Sequence, residues 1–388
     1  HSPNYLQHVS IILDGLLYDG HNTYDGGILN YLNPHEIESI TVIRDAATQA
    51  LYGLNAGDGI ISITTRRGPQ GDPRVLVSYE HALRGMDTKR YQPYSSYEHA
   101  LMRNQAAIND GSKPIFSDID LERYKDGTYA NRNYYDEYLK QFTQFDKLYL
   151  SIGGGSDYVQ YLCNFQWMHN GSPFNTHSNY ENPDAQHGSK ADYLHVTSNL
   201  DAKLNYFIST SFTLRSDFKL ENGLGTAPTD RMRVRTGDML QHILIAAPTL
   251  VSLSAPEGAF AEGRDISGKP IFSKNSQSVG IWNISYPTNP YSELTQSGMT
   301  KSYTTYVHMD AKVNFDLEMF TKGLSGQIGF AYKGGGDKDI EYSKNSTMYQ
   351  AVTNDFTFFR QAGDEVDTNG YSKYYTFCYS YEYFARLN

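Results

Sequence analysis

The chain lacks an apolar run long enough to cross a bilayer as a helix. Its most apolar stretch, 243–253, is about ten residues with Pro248 inside it, and a spanning helix needs about twenty. Mean hydropathy is -0.55, which excludes a helical membrane protein. It does not exclude a membrane β-barrel, in which only alternate residues need be apolar. Basic charge is also short. Lys and Arg total 33 against 43 Asp and Glu, for a net charge of -10, which argues against nucleic acid, where a basic face is needed. The 2 cysteines, Cys163 and Cys378, lie far apart in strand-like runs and define neither a disulfide framework nor a metal site. Both read as small residues of a sheet wall. No signal peptide is visible before the first strand and the chain begins at His1, so the natural start is expected to lie elsewhere.

What the chain has in quantity is tyrosine, 33 residues beside 18 Phe and 2 Trp. Tyrosine suits places with one wet and one apolar end, such as a barrel girdle or a sugar-stacking surface.

The stretch 9–68 differs in character from the rest. Val9 to Leu13 is a short strand running into the turn pair Asp14-Gly15. Asn33-Pro34 starts a short helix, Ile40 to Ile43 reads as a strand, and Asp45 caps a helix over 46–52 that Gly53 ends. A glycine-rich turn through Asn55, Gly57 and Gly59 then leads into the strand Ile60 to Thr65. That turn is not a phosphate loop, because the GxxxxGK[ST] lysine is absent and the glycines precede a strand.

In this order, Leu13-Asp14-Gly15, Tyr18-Asp19-Gly20, Asn33-Pro34 with Glu36 to Ile40, Asp45-Ala46-Ala47, Leu51-Tyr52-Gly53, and Ile61 to Thr65 with Arg67-Gly68 resemble the second half of the plug domain of SusC-type TonB-dependent outer-membrane transporters. One departure is the turn Leu54-Asn55-Ala56-Gly57-Asp58-Gly59, where the family usually has Ser-Arg-Gly-Ala-Asn-Gly. No role of that arginine carries over.

From Arg74 on, eight candidate strands alternate apolar and polar residues: 74–83, 148–152, 159–167, 196–206, 209–219, 303–317, 324–332 and 375–387. Several reach the 9 to 11 residues or more that a tilted membrane strand requires. Tight links near 153–157 and 320–323 alternate with long stretches, 86–144, 169–193, 221–302 and 333–373, which is the pattern of a barrel with its long loops outside. The first long stretch holds two helix-like runs, 96–108 and 117–124. The expected fold is a partial transmembrane antiparallel β-barrel with a small α/β plug, residues 1–70 forming the C-terminal half of the plug and 71–388 the first part of the wall. The front of the plug and the TonB-contacting segment are expected to be missing.

Candidate sites are weaker. The acidic sets Asp118-Asp120-Glu122, Asp364-Glu365-Asp367 and Asp14-Asp19 read as solvated loop charge rather than catalytic pairs. Residues 364–370 faintly match a calcium loop but lack its final glutamate. His169, His177, His187 and His195 crowd one region without zinc-site spacing and read as loop histidines. Trp282, Tyr286 and Tyr291 are the candidates for stacking on sugar rings, with loop packing as the equal alternative. No catalytic residue, metal or cofactor is expected. The resemblance implies import of an oligosaccharide or peptide, a SusD-like surface lipoprotein over the mouth, TonB pulling the plug, and outer-membrane lipid around the wall. The alternatives are a soluble β-rich carbohydrate-binding protein and a truncated, inactive relic.

Overall fold

The computed structural model describes residues 10–18, 32–45, 59–85, 93–129, 131–175, 189–224, 236–249, 299–344 and 369–387, with short pieces within 252–294, at 348–351 and at 359–362. No helix among them is long and apolar enough to cross a membrane.

A four-stranded mixed sheet comes first: β1 Ser10–Leu13, β2 Leu16–Tyr18, β3 Ile37–Ile43 and β4 Ile60–Thr65, in the order β2-β1-β4-β3. β1 runs parallel to β4, while β2 and β3 pair antiparallel with their neighbours. Leu13, Leu32 and Ile63 form one small core of this unit, and Ile12 and Ile60 another. The Asn33-Pro34 start is correct in kind. Asn33 caps a 3-10 turn, Pro34–Glu36, with its side chain accepting from the His35 amide at 2.9 Å. No longer helix follows, because β3 begins at Ile37 and not at Ile40. The helix expected after Asp45 lies outside the described residues.

The second sheet has eight strands joined in sequence order: β5 Gly71–Gly85, β6 Phe142–Gly155, β7 Val159–Asn170, β8 Lys190–Lys203, β9 Ile208–Leu224, β10 Met299–Asp316, β11 Ser325–Lys344 and β12 Asn369–Leu387. All eight expected strands are present and all pair antiparallel with their neighbours. β5 and β12 are the two edges, so the sheet does not close. The strands run longer than the sequence suggested, which shortens the connections at one end to 86–141, 171–189, 225–298 and 345–368. β8 is the exception. It stops at Lys203, and Leu204 to Tyr206 belong to a turn in which the Asn205 side chain accepts from the Phe207 and Ile208 amides at 2.9 and 2.8 Å. The tight turn after β6 is held by Ser156, whose hydroxyl accepts from the Tyr158 and Val159 amides, each at 3.2 Å.

The two faces of this sheet are the reverse of those in a water-soluble sandwich. Thr197, Thr213 and Arg215 are 2%, 0% and 1% exposed on the inner face, whereas Leu200, Phe212 and Phe218 are 43%, 39% and 41% exposed on the outer face. Outward positions of β9 from Ile208 to Phe218, and those in register with them on β6–β8 and β10–β12, carry no charged residue. The ten steps from Ile208 to Phe218, at ~3.3 Å rise and ~40° tilt, make an uncharged band about 25 Å tall, the height of the apolar belt of an outer-membrane barrel. Within the height of that band the charges of the same strands, among them Arg215, Asp217, Asp310 and Lys312, point inward. The fold is a partial wall of a transmembrane-type barrel carrying a small mixed sheet against its inner face.

At the end with long connections sit four helices: α1 Ser96–Asn109, α2 Asp118–Lys125, α3 Tyr134–Tyr138 and α4 Thr236–Ile245. α1 and α2 start with full capping boxes, Ser95 with Glu98 and Ser117 with Asp120. Asp120, grouped from sequence with the solvated charges though placed near a helix start, is the third helical residue of the second box and accepts from the Ser117 amide at 2.9 Å. Tyr134, Tyr138, Phe174, Met239 and Ile243 bind α3 and α4 into one apolar cluster.

A Leu214→Arg substitution places a charge in the middle of the uncharged outer band. It is expected to cost about 2–4 kcal/mol of folding free energy in lipid vesicles, measured by reversible unfolding, while Ser209→Lys on the inner face near the turn costs much less.

Candidate functional site: the interface between the small sheet and the wall

The left-handed turn Asp14-Gly15 (φ 50° and 84°) joins β1 to β2 and aims the Asp14 carboxylate at the wall. There Oδ1 accepts from the Thr65 amide at 2.8 Å, and Oδ2 accepts from the Thr65 hydroxyl at 2.7 Å and from Arg215 Nη2 of β9. Lys312 of β10 donates to the Asp14 carbonyl at 3.0 Å. Burial alone would push the Asp14 carboxyl up. The Arg215 charge, the two Thr65 hydrogen bonds and the Arg67 charge more than offset it and hold the group below its ordinary value. Asp14 was read from sequence as solvated loop charge. Instead its side chain is 4% exposed and pairs with an Arg215 side chain at 2%.

A second contact set lies at the other side of the small sheet. Glu36 Oε2 is 3.3 Å from His195 Nε2 and accepts from the Thr197 hydroxyl at 3.3 Å. The other ring nitrogen of His195 bonds to Asp217. A ring that donates at both nitrogens satisfies both carboxylates. Asn33 donates to Gln166, and His35 stacks on Tyr149 at 5.5 Å between ring centres. The residues that follow β4 add a third set. Arg67 donates to the Thr213 hydroxyl at 3.3 Å and lies 3.6 Å from Asp201, and Asn199 donates to the Arg66 carbonyl at 3.3 Å. Gly68 rests on the backbone of Tyr161, where a Cβ would stand 2.6 Å from the Tyr161 nitrogen.

The interface is therefore built mainly from buried ion pairs and hydrogen bonds. Such an interface holds position firmly yet gains little from hydrophobic burial, so it can be parted by a force without exposing a greasy surface. Asp14, Asn33, Glu36, Thr65, Arg67 and Gly68, all residues of the motif, touch the wall, and His35 and Arg66 beside them do so too.

The other candidates fare differently. Trp282, Tyr286 and Tyr291 lie outside the described residues, as do His177, His187 and the acidic run 364–367. His169 and His195 are strand residues, not loop residues. His169 faces outward and pairs with Asp192 at 2.7 Å, and His195 is fully buried inside. Sequence reading missed His195, Arg215, Asp217 and Lys312. Their signal was parity, since each falls on the polar side of an alternating strand. Cys163 and Cys378 are free thiols within the wall.

With this geometry in hand, the comparisons with known proteins become specific. The TonB-dependent receptor SusC of Bacteroides thetaiotaomicron is 33% identical over 153 residues, which are 39% of this chain and 14% of that protein. The chain is a relative of the SusC-type TonB-dependent receptors. A second such relative, TonB-dependent receptor P39 of Formosa agariphila, is 22% identical over 215 residues, 53% of this chain and 18% of its own length. The chain thus matches under a fifth of the length of these relatives. Among solved structures, that of the RagAB peptide transporter superposes with a TM-score of 0.59 at 12% identity, covering 87% of this chain and 36% of that one. It shares the fold of the SusC-type relative described here. No protein-family model matches the chain.

Two outcomes are expected at this interface. Arg215→Ala leaves the Asp14 carboxylate buried without its cation and destabilises docking by about 3–5 kcal/mol, seen as faster hydrogen exchange at the Thr65 amide. Adding Asp14→Asn to that variant restores most of the protection. The depressed Asp14 group contributes stability above its ordinary value of 3.8 that is lost as pH falls through its lower value in the docked state. Protection at Thr65 is accordingly flat from neutral pH to about pH 4 and declines below it, and the pH step disappears in Asp14→Asn.

Proposed function

We propose that this chain is part of a SusC-type, TonB-dependent nutrient receptor of the outer membrane, with residues 1–70 in the plug and 71–388 in the barrel wall. The observation that carries the reading is the division of charge between the two faces of the eight-stranded sheet. The outer face keeps an uncharged band of membrane height, and the inner face grips the small sheet through Asp14–Arg215 and Glu36–His195–Asp217. A water-soluble carbohydrate-binding protein has no use for an exposed apolar face of that extent.

In this function no bond of the substrate is broken. An oligosaccharide or peptide binds between plug and wall under the long loops, with Trp282, Tyr286 and Tyr291 as candidates for stacking on it. A SusD-like surface lipoprotein covers the mouth. TonB supplies the pull that parts the ionic contacts of the plug, and the ligand passes. The family resemblance supports an oligosaccharide or a peptide as cargo, and a structure of the same fold is that of a peptide transporter.

The test is fractionation of the source cell followed by purification in detergent. The expected result is recovery in the outer membrane with a surface lipoprotein bound, and uptake that stops when TonB is removed. Recovery as a soluble, solitary protein contradicts the proposal.

A further inference from the structure

The outer face of the wall carries a feature that plug docking and transport do not use. Just above the uncharged band, toward the end with long connections, the register sets three lysines at one height. Asn222 of β9 pairs with Lys190 of β8 on one side and with Lys301 of β10 on the other. Lys301 pairs with Ile340 of β11, and Ile340 pairs with Lys373 of β12. All lie on the outward parity that continues from Ile208 and Phe218. A fourth lysine, Lys338, stands one outward position lower on β11, opposite Tyr303 and Tyr375.

Strands about 4.8 Å apart put Lys190 and Lys301, and likewise Lys301 and Lys373, about 10 Å from one another at the backbone. Two flexible four-carbon arms close that gap around one phosphate. The lysines sit among aromatic rings. Lys338 Nζ lies 5.2 Å from the Tyr303 ring and Lys373 Nζ 5.8 Å from the Tyr375 ring, and the Tyr342 and Tyr371 rings meet at 5.2 Å beside them. None of the four lysines makes an ion pair among the described residues. The nearest outward carboxylate, Asp192, stands two positions from Lys190 on β8 and is engaged by His169 of β7, and Asp146 of β6 is engaged by His81 of β5, at 2.7 Å each. From β9 to β12 the outward carboxylate is absent at this height among the described residues.

We infer that Lys190, Lys301, Lys338 and Lys373 form a binding site for the phosphorylated headgroup of an outer-leaflet glycolipid, whose acyl chains lie on the uncharged band below. Three observations select this occupant. The site is cationic and unpaired, so it takes an anion. It sits where the apolar band ends, so the anion arrives at headgroup height. It is continuous with an exposed apolar surface, which free phosphate cannot use and acyl chains can. The inference rests on the membrane reading above.

The experiment uses the whole protein purified in detergent and reconstituted in phospholipid vesicles, with lipid A as the probe and its dephosphorylated form as the control. Lipid retained through purification is counted by native mass spectrometry, and heat-modifiable gel migration reports the folded barrel. The wild type is expected to retain lipid A at least about tenfold more strongly than the dephosphorylated form, a difference of about 1.4 kcal/mol. In the combined Lys190→Gln, Lys301→Gln, Lys338→Gln and Lys373→Gln variant the preference vanishes while migration is unchanged. The pair Lys147→Gln and Lys333→Gln, inward on the same wall, leaves the preference intact. Equal retention of both lipids by a correctly folded, membrane-inserted wild type overturns the site and spares the transporter reading. Inorganic phosphate displacing lipid A completely at equal concentration also overturns it, since the acyl chains then contribute nothing. Failure to insert at all overturns the membrane reading, and the site with it.

Discussion

A β-strand turns successive side chains to opposite faces, and everything in this chain depends on how charge is sorted by that two-residue repeat. A wall strand must satisfy its backbone through its neighbours and keep its outward side chains free of charge across the bilayer. The inward side chains face the opposite demand, because they meet a polar plug and its carboxylates. Arg215 shows both pressures at once. It stands between the outward residues Leu214 and Ser216, and its guanidinium turns inward to Asp14. A one-residue slip of β9 would put Arg215 and Asp217 onto the uncharged outer band, so the sorting of charge fixes the register of the strand.

The same sorting explains why the interface between plug and wall is built from ion pairs and hydrogen bonds. An apolar interface would demand apolar residues on the inner face, and the wall would lose the asymmetry that orients it. Polar contacts also suit a part that, in the proposed function, has to move. Buried pairs are positionally specific while adding little net stability over an apolar alternative. Asp14 carries this furthest, with contacts to Thr65 within its own sheet and to Arg215 and Lys312 on two wall strands.

Much of this was legible in the residues. The alternation in 159–167, 209–219 and 303–317 located the strands and the correct outward faces, because one apolar and one polar side per strand is a local signal. Strand ends were not legible. β11 continues through Asp337, Asp339 and Glu341, which read as loop but lie on the inward parity of a longer strand. Leu204 and Tyr206 continued the alternation but fall in a turn that Asn205 organises. The site was legible only as motif. Asp14, Glu36, Thr65 and Gly68 stood out, but their wall partners are far off in the chain, 201 and 298 positions away for Arg215 and Lys312 against Asp14, and nothing local says that His195 is buried between two carboxylates. The stacking candidates Trp282, Tyr286 and Tyr291 stand as sequence expectations within the proposed function.

The central claim is that the two faces of the wall meet different solvents. The most direct measurement is a cysteine scan along β9 from Ile208 to Phe218 in membrane-inserted protein, with Cys163 and Cys378 replaced by serine. Each position is labelled with a nitroxide and its exposure to a lipid-soluble and a water-soluble relaxation agent is compared. Phe212, Leu214, Ser216 and Phe218 should respond to the lipid-soluble agent, and Thr213, Arg215 and Asp217 to neither while the plug is docked. A uniform response to the water-soluble agent along the strand would contradict the account.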